Sequence, residues 1–425
     1  MASVDYSNQK TEARAWSGED YRKQIRDRIA TIKAEGRYRV FAEIGRRAGR
    51  FPNADIFSED GAHPITVWCS NDYLGMGQHP SVLNAMVEAA QTYGAGAGGT
   101  RNISGTSRPL VELERMLAQL HGKEAALVLT SGYIANEAAI SSIANALPGC
   151  IIYSDAMNHA SMIAGMRSGR SEKRIFRHND VAHLTELLEA DDPARPKLIA
   201  FESVYSMDGD ISPIEEICDV ADRFGAITYL DEVHAVGLYG AHGGGVSEER
   251  GLAHRLDIIN GTLAKAYGVM GGYIAASAEI VDLVRCSASC FIFTTALPPA
   301  VAAAAHASVK HLTSSSAERE RHQERAAAVK RSLSNAGLPV MPSETHIVPV
   351  LVGDPVICKK ITDTLMSDYG IYIQPINYPT VPRGTERLRI TPTPVHTDDM
   401  IEELTRALRE VWKQYGLSLG AGNDN

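Results

Sequence analysis

Ala226-Ile-Thr-Tyr-Leu-Asp231-Glu-Val-His234 and Ile258-Ile-Asn-Gly-Thr-Leu-Ala-Lys265 are two short apolar runs, one ending in an acid and a histidine, the other in a lysine among small residues. Runs this short and this apolar read as buried strands. Similar runs recur on either side of them: Ile65 to Cys69, Ala125 to Leu129, Cys150 to Tyr153, Arg174 to Arg177 and Leu198 to Glu202. Amphipathic stretches separate them, at Ser81 to Thr92, Val111 to Leu120, Asn136 to Leu147, Val181 to Leu188 and Ile214 to Phe224. Strand alternating with helix predicts an α/β fold with a mostly parallel sheet covered on both faces.

The pattern changes near residue 312. A charged helix, Glu318 to Ala336, is followed by strand candidates His346 to Val352, Ile371 to Pro375 and Arg387 to Thr391, then by a helix from Asp398 to Tyr415. The reading is three parts: a mostly helical arm over 1–62, with its helical stretch at Glu19 to Gly49, a large domain over 63–312, and a smaller α+β domain over 313–425.

Forty-two Lys and Arg against 51 Asp and Glu leave a formal charge of −9, with no basic tract, so nucleic acid is a poor partner. The six cysteines are scattered without a Cys-x-x-Cys pair, which predicts reduced thiols, a cytoplasmic chain and no zinc site. No apolar stretch approaches the roughly 18 residues of a membrane span. Gly94-Ala-Gly-Ala-Gly-Gly99 matches G-x-G-x-x-G, but it follows a helix pattern rather than a strand, so the dinucleotide reading fails.

In an open α/β sheet, ligands sit beyond the carboxyl ends of the strands. A lysine among Ala and Gly at such an end is open to desolvation, which lowers an amine toward the range of a nucleophile. Lys265 with Asp231 therefore suits pyridoxal phosphate: the lysine forms the Schiff base and the acid keeps the pyridine nitrogen protonated. The bland alternative is a helix-capping Asp231 and a solvated Lys265. A third feature weighs against it, because Ala125 to Leu129 runs into Thr130-Ser-Gly132-Tyr133, a small-residue turn into a helix that would face an anion. His159 also lies just past a strand, placed to lie against a ring. Arg389 is a charge within an apolar strand, and its partner is either a substrate carboxylate or a structural acid.

These residues sit in longer motifs: Thr66-Val-Trp-Cys-Ser-Asn-Asp-Tyr-Leu-Gly75, Gly98-Gly-Thr-Arg-Asn-Ile-Ser-Gly-Thr106, Ile152-Tyr-Ser-Asp-Ala-Met-Asn-His159, Phe201-Glu-Ser-Val-Tyr-Ser-Met-Asp208, Asn260-Gly-Thr-Leu-Ala-Lys-Ala-Tyr-Gly268 and Pro379-Thr-Val-Pro-Arg-Gly-Thr-Glu-Arg-Leu-Arg389. From about Glu35 to Tyr415 the chain resembles the α-oxoamine synthases of the fold-type I pyridoxal phosphate enzymes, and among them the members that join glycine to succinyl-CoA. The resemblance implies a large, mostly parallel seven-stranded sheet domain with a smaller α+β domain. It implies a homodimer, and a reaction that releases CoA and carbon dioxide to give 5-aminolevulinate, a tetrapyrrole precursor.

By that resemblance Lys265 carries the cofactor, Asp231 pairs with its ring nitrogen, His234 contacts its ring hydroxyl and His159 stacks on the ring. Gly132, Tyr133, Ser206 and Thr262 serve the cofactor, with Thr294 and Thr295 reaching its phosphate from a second subunit. Arg389 holds the glycine carboxylate. Arg39, Thr100, Asn102, Ile103 and Thr380 surround the acyl-CoA, Arg39 gripping the succinyl carboxylate, and Asn71 and Ser154 complete the pocket. One departure stands out: after Gly105-Thr106 the family carries a histidine, whereas here the run is Ser107-Arg108-Pro109-Leu110. The rival readings are a sibling enzyme using another acyl-CoA, such as acetyl-CoA, and a catalytically silent relative that binds the cofactor.

Overall fold

A computed structural model describes residues 15–420; the first fourteen residues of the expected arm lie outside it. The strands in chain order are β1 (Glu43–Arg46), β2 (Asn53–Ser58), β3 (Gly61–Val67), β4 (Ala125–Leu129), β5 (Ile151–Asp155), β6 (Glu172–Phe176), β7 (Lys197–Glu202), β8 (Ile227–Asp231), β9 (Ile258–Thr262), β10 (Gly272–Ala276), β11 (Val348–Leu351), β12 (Ile371–Tyr372), β13 (Pro375–Ile376) and β14 (Arg387–Ile390). Seven form one sheet in the order β4-β10-β9-β8-β7-β5-β6. Strands β5 to β9 run parallel to their neighbours among themselves, and β10 runs antiparallel to both β4 and β9. Apolar clusters cover both faces, one around Leu110, Phe201 and Tyr273, the other around Ile140, Leu198 and Tyr229. Burial on both faces explains why the strands other than β6 are mostly apolar, whereas β6, at the sheet edge, is Glu-Lys-Arg-Ile-Phe with only Phe176 buried.

Two expectations are corrected. Ile65 to Cys69 does not belong to the large sheet: β3 pairs with β2, and through Ile371↔Thr66 with β12, in a separate four-stranded sheet. The seventh strand of the large sheet is instead β10, Gly-Tyr-Ile-Ala-Ala, whose small residues hid it from a search for branched apolar runs. Its glycine is required by packing, since a Cβ on Gly272 would lie 2.2 Å from the Gly132 nitrogen. The arm is helical only over Gly18–Ala34; β1 and β2 then form an antiparallel ribbon where helix was expected up to Gly49.

The C-terminal part holds a three-stranded sheet, β11-β14-β13, packed by helices Ala317–Asn335, Pro355–Tyr369 and Asp398–Gln414. Its core is built on Trp412, Leu388 and Leu404, and it also takes in Trp68 from just past β3. The atypical loop is accommodated plainly. Pro109 sits in the first turn of helix Arg108–Leu120, where a missing N–H costs nothing, and Arg108 pairs with Glu112 on the surface at 2.7 Å.

Candidate active site

Register places the chemistry. In the β7–β8–β9 ladder Glu202 sits opposite Asp231 and Asp231 opposite Asn260, so two acids meet side by side at the carboxyl edge, with Lys265 three residues past the end of β9. Asp231 is buried and fixed at both oxygens: Oδ1 accepts from the Val233 N–H at 2.8 Å and Oδ2 from Asn136 Nδ2 at 2.6 Å. Asn136 is in turn held by the Tyr229 hydroxyl, at 2.8 Å, and also donates to Ser161 Oγ at 2.9 Å. Ser161 Oγ lies 2.7 Å from His159 Nδ1, so a single hydrogen-bond network orients both the carboxylate and the imidazole.

The lysine amine is lowered to about 8 by burial, with Arg389 adding to the effect and Asp231 and Glu202 opposing it. His159 is lowered chiefly by desolvation in a partly buried setting, and its backbone N–H donates to Glu202 Oε1 at 2.5 Å while the residue keeps one side open to solvent. Glu202 is pushed well above the usual carboxyl range by burial and by the neighbouring Asp231. Burial, with Lys265 and Arg389 nearby, drives His234 far below the normal imidazole range, so it is neutral; its Nδ1 meets the Tyr73 hydroxyl at 2.9 Å.

Tyr73 also links the site to the C-terminal sheet, accepting from Arg389 Nη2 at 2.9 Å. Arg389 Nε donates to the Ser206 carbonyl at 2.6 Å, and among the described residues no carboxylate pairs with this buried guanidinium. Its neighbour on β14, Arg387, is by contrast paired with Asp208 at 2.7 Å. Of the two partners considered for Arg389, the structural acid is therefore not the one found.

The expected turn from β4 into a helix forms. Ser131 caps helix Gly132–Ala146 by accepting from the Ile134 N–H at 3.2 Å, leaving the first N–H groups of the helix for a ligand. A Cβ on Gly132 would come within 3.3 Å of Val233 and 3.4 Å of Thr262, so the cradle is fitted to glycine and Thr262 lies beside it. Tyr133, at 45% exposure, borders an open hollow of about 480 Å³ with Ala160, Ile163 and Arg167.

Asn71 joins this floor, its Oδ1 accepting from the Tyr73 hydroxyl at 3.4 Å, while most of the remaining expected residues lie apart from it. Thr100 bridges Thr295 in backbone pairing, and Thr294 and Thr295 line a small pocket with Arg101, Leu129 and Thr130. Asn102 and Ile103 stand at the exposed tip of the Arg101–Gly105 turn, which Arg101 ties down through both oxygens of Glu114 at 2.8 and 3.0 Å. Arg39, Asn71 and Thr380 are exposed. The arm nevertheless reaches the Thr380 segment, because Arg37 and Arg383 lie over the Tyr378 ring at 5.8 and 4.5 Å. Ser154 is buried and engaged by Asn158 Nδ2 at 2.9 Å.

Sequence reasoning missed Asn136, Ser161, Glu202 and Tyr73 as parts of the site. The strand-end rule applied to β7 would have found Glu202; the others carry no signal of their own. Among the described residues, His79, His311 and Glu318 bring three possible metal-ligand atoms within 4.8 Å of one another, although His311 and Glu318 already bond each other at 2.6 Å.

An amine nucleophile, a fixed buried carboxylate, a flat exposed imidazole and a glycine-lined helix start form the donor set that pyridoxal phosphate needs, and the residues fit it. Residues 63–408 match the model of the aminotransferase class I and II family. The 5-aminolevulinate synthase of Bradyrhizobium diazoefficiens is 58% identical over 400 residues, covering 94% of this chain and 98% of the relative. The chain belongs to the 5-aminolevulinate synthase family. The Rhodobacter capsulatus member is also 58% identical, across 94% of this chain and 98% of its own length. Among solved structures, a serine palmitoyltransferase of S. paucimobilis with a bound PLP–myriocin aldimine superposes with a TM-score of 0.86 at 30% identity, covering 94% of this chain and all of that one.

Proposed function

We propose that this chain condenses glycine with succinyl-CoA, releasing CoA and carbon dioxide, to yield 5-aminolevulinate with pyridoxal phosphate as cofactor. The observation that carries this reading is the convergence of Lys265 and Asp231 at the carboxyl edge of the large sheet with the acid-free Arg389, which reaches them from the C-terminal sheet. When bound, pyridoxal phosphate supplies an electron sink for the pair left by a bond broken at the amino acid α-carbon. The protein's residues do the rest. Lys265 would hold the cofactor and, as a neutral amine, would take the α-proton. Asp231, locked by Asn136 and Val233, would hold a proton on the ring nitrogen, and His159 would pack against the ring. Neutral His234 would contact the ring hydroxyl and Ser206 would also serve the cofactor, while the N–H groups at Gly132 and Tyr133, with Thr262, would hold the phosphate.

Arg389 grips the glycine carboxylate. Its two bonds to Ser206 and Tyr73 fix the guanidinium plane, which suits it to a bidentate carboxylate. Arg39 recognises the succinyl carboxylate, with Thr100, Asn102, Ile103, Thr380, Asn71 and Ser154 around the acyl-CoA. A second copy supplies Thr294 and Thr295. Helix Gly18–Ala34 buries none of its residues and exposes Tyr21, Ile25 and Ile29 along one stripe, and Phe293 beside Thr294 is 81% exposed, which is apolar surface that a homodimer would cover.

The test is product identification by mass spectrometry with glycine and either succinyl-CoA or acetyl-CoA. 5-Aminolevulinate from succinyl-CoA, with little product from acetyl-CoA, is expected. The reverse preference moves the chain to a sibling activity and withdraws Arg39 first.

A further inference from the structure

His178 belongs to none of the groups above, yet it joins two of the turns that carry them. Its Nδ1 lies 2.9 Å from Asp155 Oδ1, and its Nε2 lies 2.7 Å from Asp210 Oδ2. Asp155 closes β5 and is almost wholly buried. It also accepts from the Met157 N–H at 2.7 Å, which shapes the turn leading into His159, and from the Asn179 N–H at 2.9 Å. Asp210 closes the Ser206–Asp210 turn, whose Ser206 carbonyl receives Arg389.

The neighbouring groups point the same way. Asn179 sits at φ +53°, in the left-handed region, and from there its amide donates to Asp210 Oδ2 at 2.8 Å. The His178 ring stands edge-on to Tyr205 at 4.4 Å. Burial works against charge on His178, but the bonds to Asp155 and Asp210 outweigh it and raise the ring to about 10, so it is a cation at neutral pH. On its other side the Ser206–Asp210 turn is gripped by the C-terminal part, through Arg387 on Asp208 and Thr345 Oγ1 on the Gly209 carbonyl at 2.9 Å. From the large sheet, the side chains of His178 and Asn179 are what hold Asp210.

The geometry points to His178 as a positioning residue that staples the His159 turn to the Ser206 turn, setting the ring-stacking imidazole and the Arg389 guanidinium in register. The substrate half of this inference rests on the proposed function, and the cofactor half on the family's pyridoxal phosphate with His159 as its stacking residue. A misplacement of about 1 Å costs on the order of 100-fold in a preorganised site, so a loosened staple should cost on the order of 10-fold.

The experiment uses the holoenzyme with His178→Gln and, as a milder change, Asp210→Asn. Glycine KM and the pyridoxal phosphate dissociation constant, the latter read by absorbance without substrate, should both rise on the order of 10-fold in His178→Gln. The succinyl-CoA KM should stay within about twofold, and Asp210→Asn should act in the same direction, with the double variant less than additive. Wild-type cofactor affinity and glycine KM in both variants overturn the staple. So does a fall in kcat alone, in proportion to lost folded protein. If the wild type makes no 5-aminolevulinate while His178→Gln still weakens the cofactor, the functional reading fails and the staple stands.

Discussion

The floor of the site and its rim are built in opposite ways. On the floor, Asp231, Asn136, Ser161, Glu202 and His159 are cross-linked by hydrogen bonds of 2.5 to 2.9 Å within one sheet edge. On the rim, Arg39, Asn102, Ile103 and Thr380 are exposed, and Thr294 and Thr295 line a small pocket with Arg101 and Thr130. The floor is preorganised by a single chain, which suits groups that hold charge at fixed atoms. The rim lacks walls, which suits a surface completed by a second copy and by a large acyl-CoA.

If that contrast holds, breaking the floor should cost most. Lys265→Ala should lose at least about 10³-fold in turnover along with the covalently held cofactor, since the nucleophile and the base go together; substantial turnover in this variant would sink the assignment. Next comes the rim's dependence on a partner. Ile25→Glu with Ile29→Glu places charges on the exposed apolar stripe, and sedimentation should show a shift toward monomer with a fall in activity of about 10-fold or more. A monomer with full activity would mean that one chain closes its own rim.

Legibility in the sequence follows the same division. Asp231, Lys265, Gly132 and His159 could be located because strand ends and small-residue turns are local patterns that the sheet converts into proximity. The supports were not legible. Asn136 reaches Asp231 across 95 residues of sequence and Tyr73 reaches Arg389 across 316, and such contacts come only from the packing of whole elements. Strand β10 was missed for a related reason: its first residue, Gly272, is dictated by the close approach of the Gly132 helix start, a tertiary demand with no periodicity of its own. The rim residues were reached only through resemblance, and one chain does not assemble them.

Arg389→Leu sharpens the comparison from the substrate side. Losing a charge-assisted, two-point grip on a carboxylate should raise the glycine KM about 10- to 100-fold, with the acyl-CoA KM little changed. An unchanged glycine KM would return Arg389 to a structural role. The floor also carries a pH signature. In cofactor-stripped protein the Lys265 amine, lowered to about 8, is neutral above that pH and protonated below it. The rate of pyridoxal phosphate reloading should therefore be flat above pH 8 and fall about tenfold per unit below it. A rate that keeps climbing to pH 10 would show an amine at its ordinary value.

The smallest effect expected is at Arg387, two residues before Arg389 on β14 and chemically identical to it. Its guanidinium is already satisfied by Asp208, the Met207 carbonyl at 3.1 Å and the Thr385 carbonyl at 2.9 Å. Arg387→Leu therefore removes a structural tie rather than a binding group, and it strands a partly exposed Asp208. The cost should be about 2 kcal/mol of stability, below the full penalty of a wholly buried pair. Because the same turn presents the Ser206 carbonyl to Arg389, the glycine KM should rise as well, but only about threefold, short of the loss of the grip itself. Thermal melts and glycine titrations on the two leucine variants side by side separate the roles. A glycine defect in Arg387→Leu as large as that of Arg389→Leu, at unchanged stability, would mean that both arginines address the substrate and that the boundary between floor and support is drawn in the wrong place.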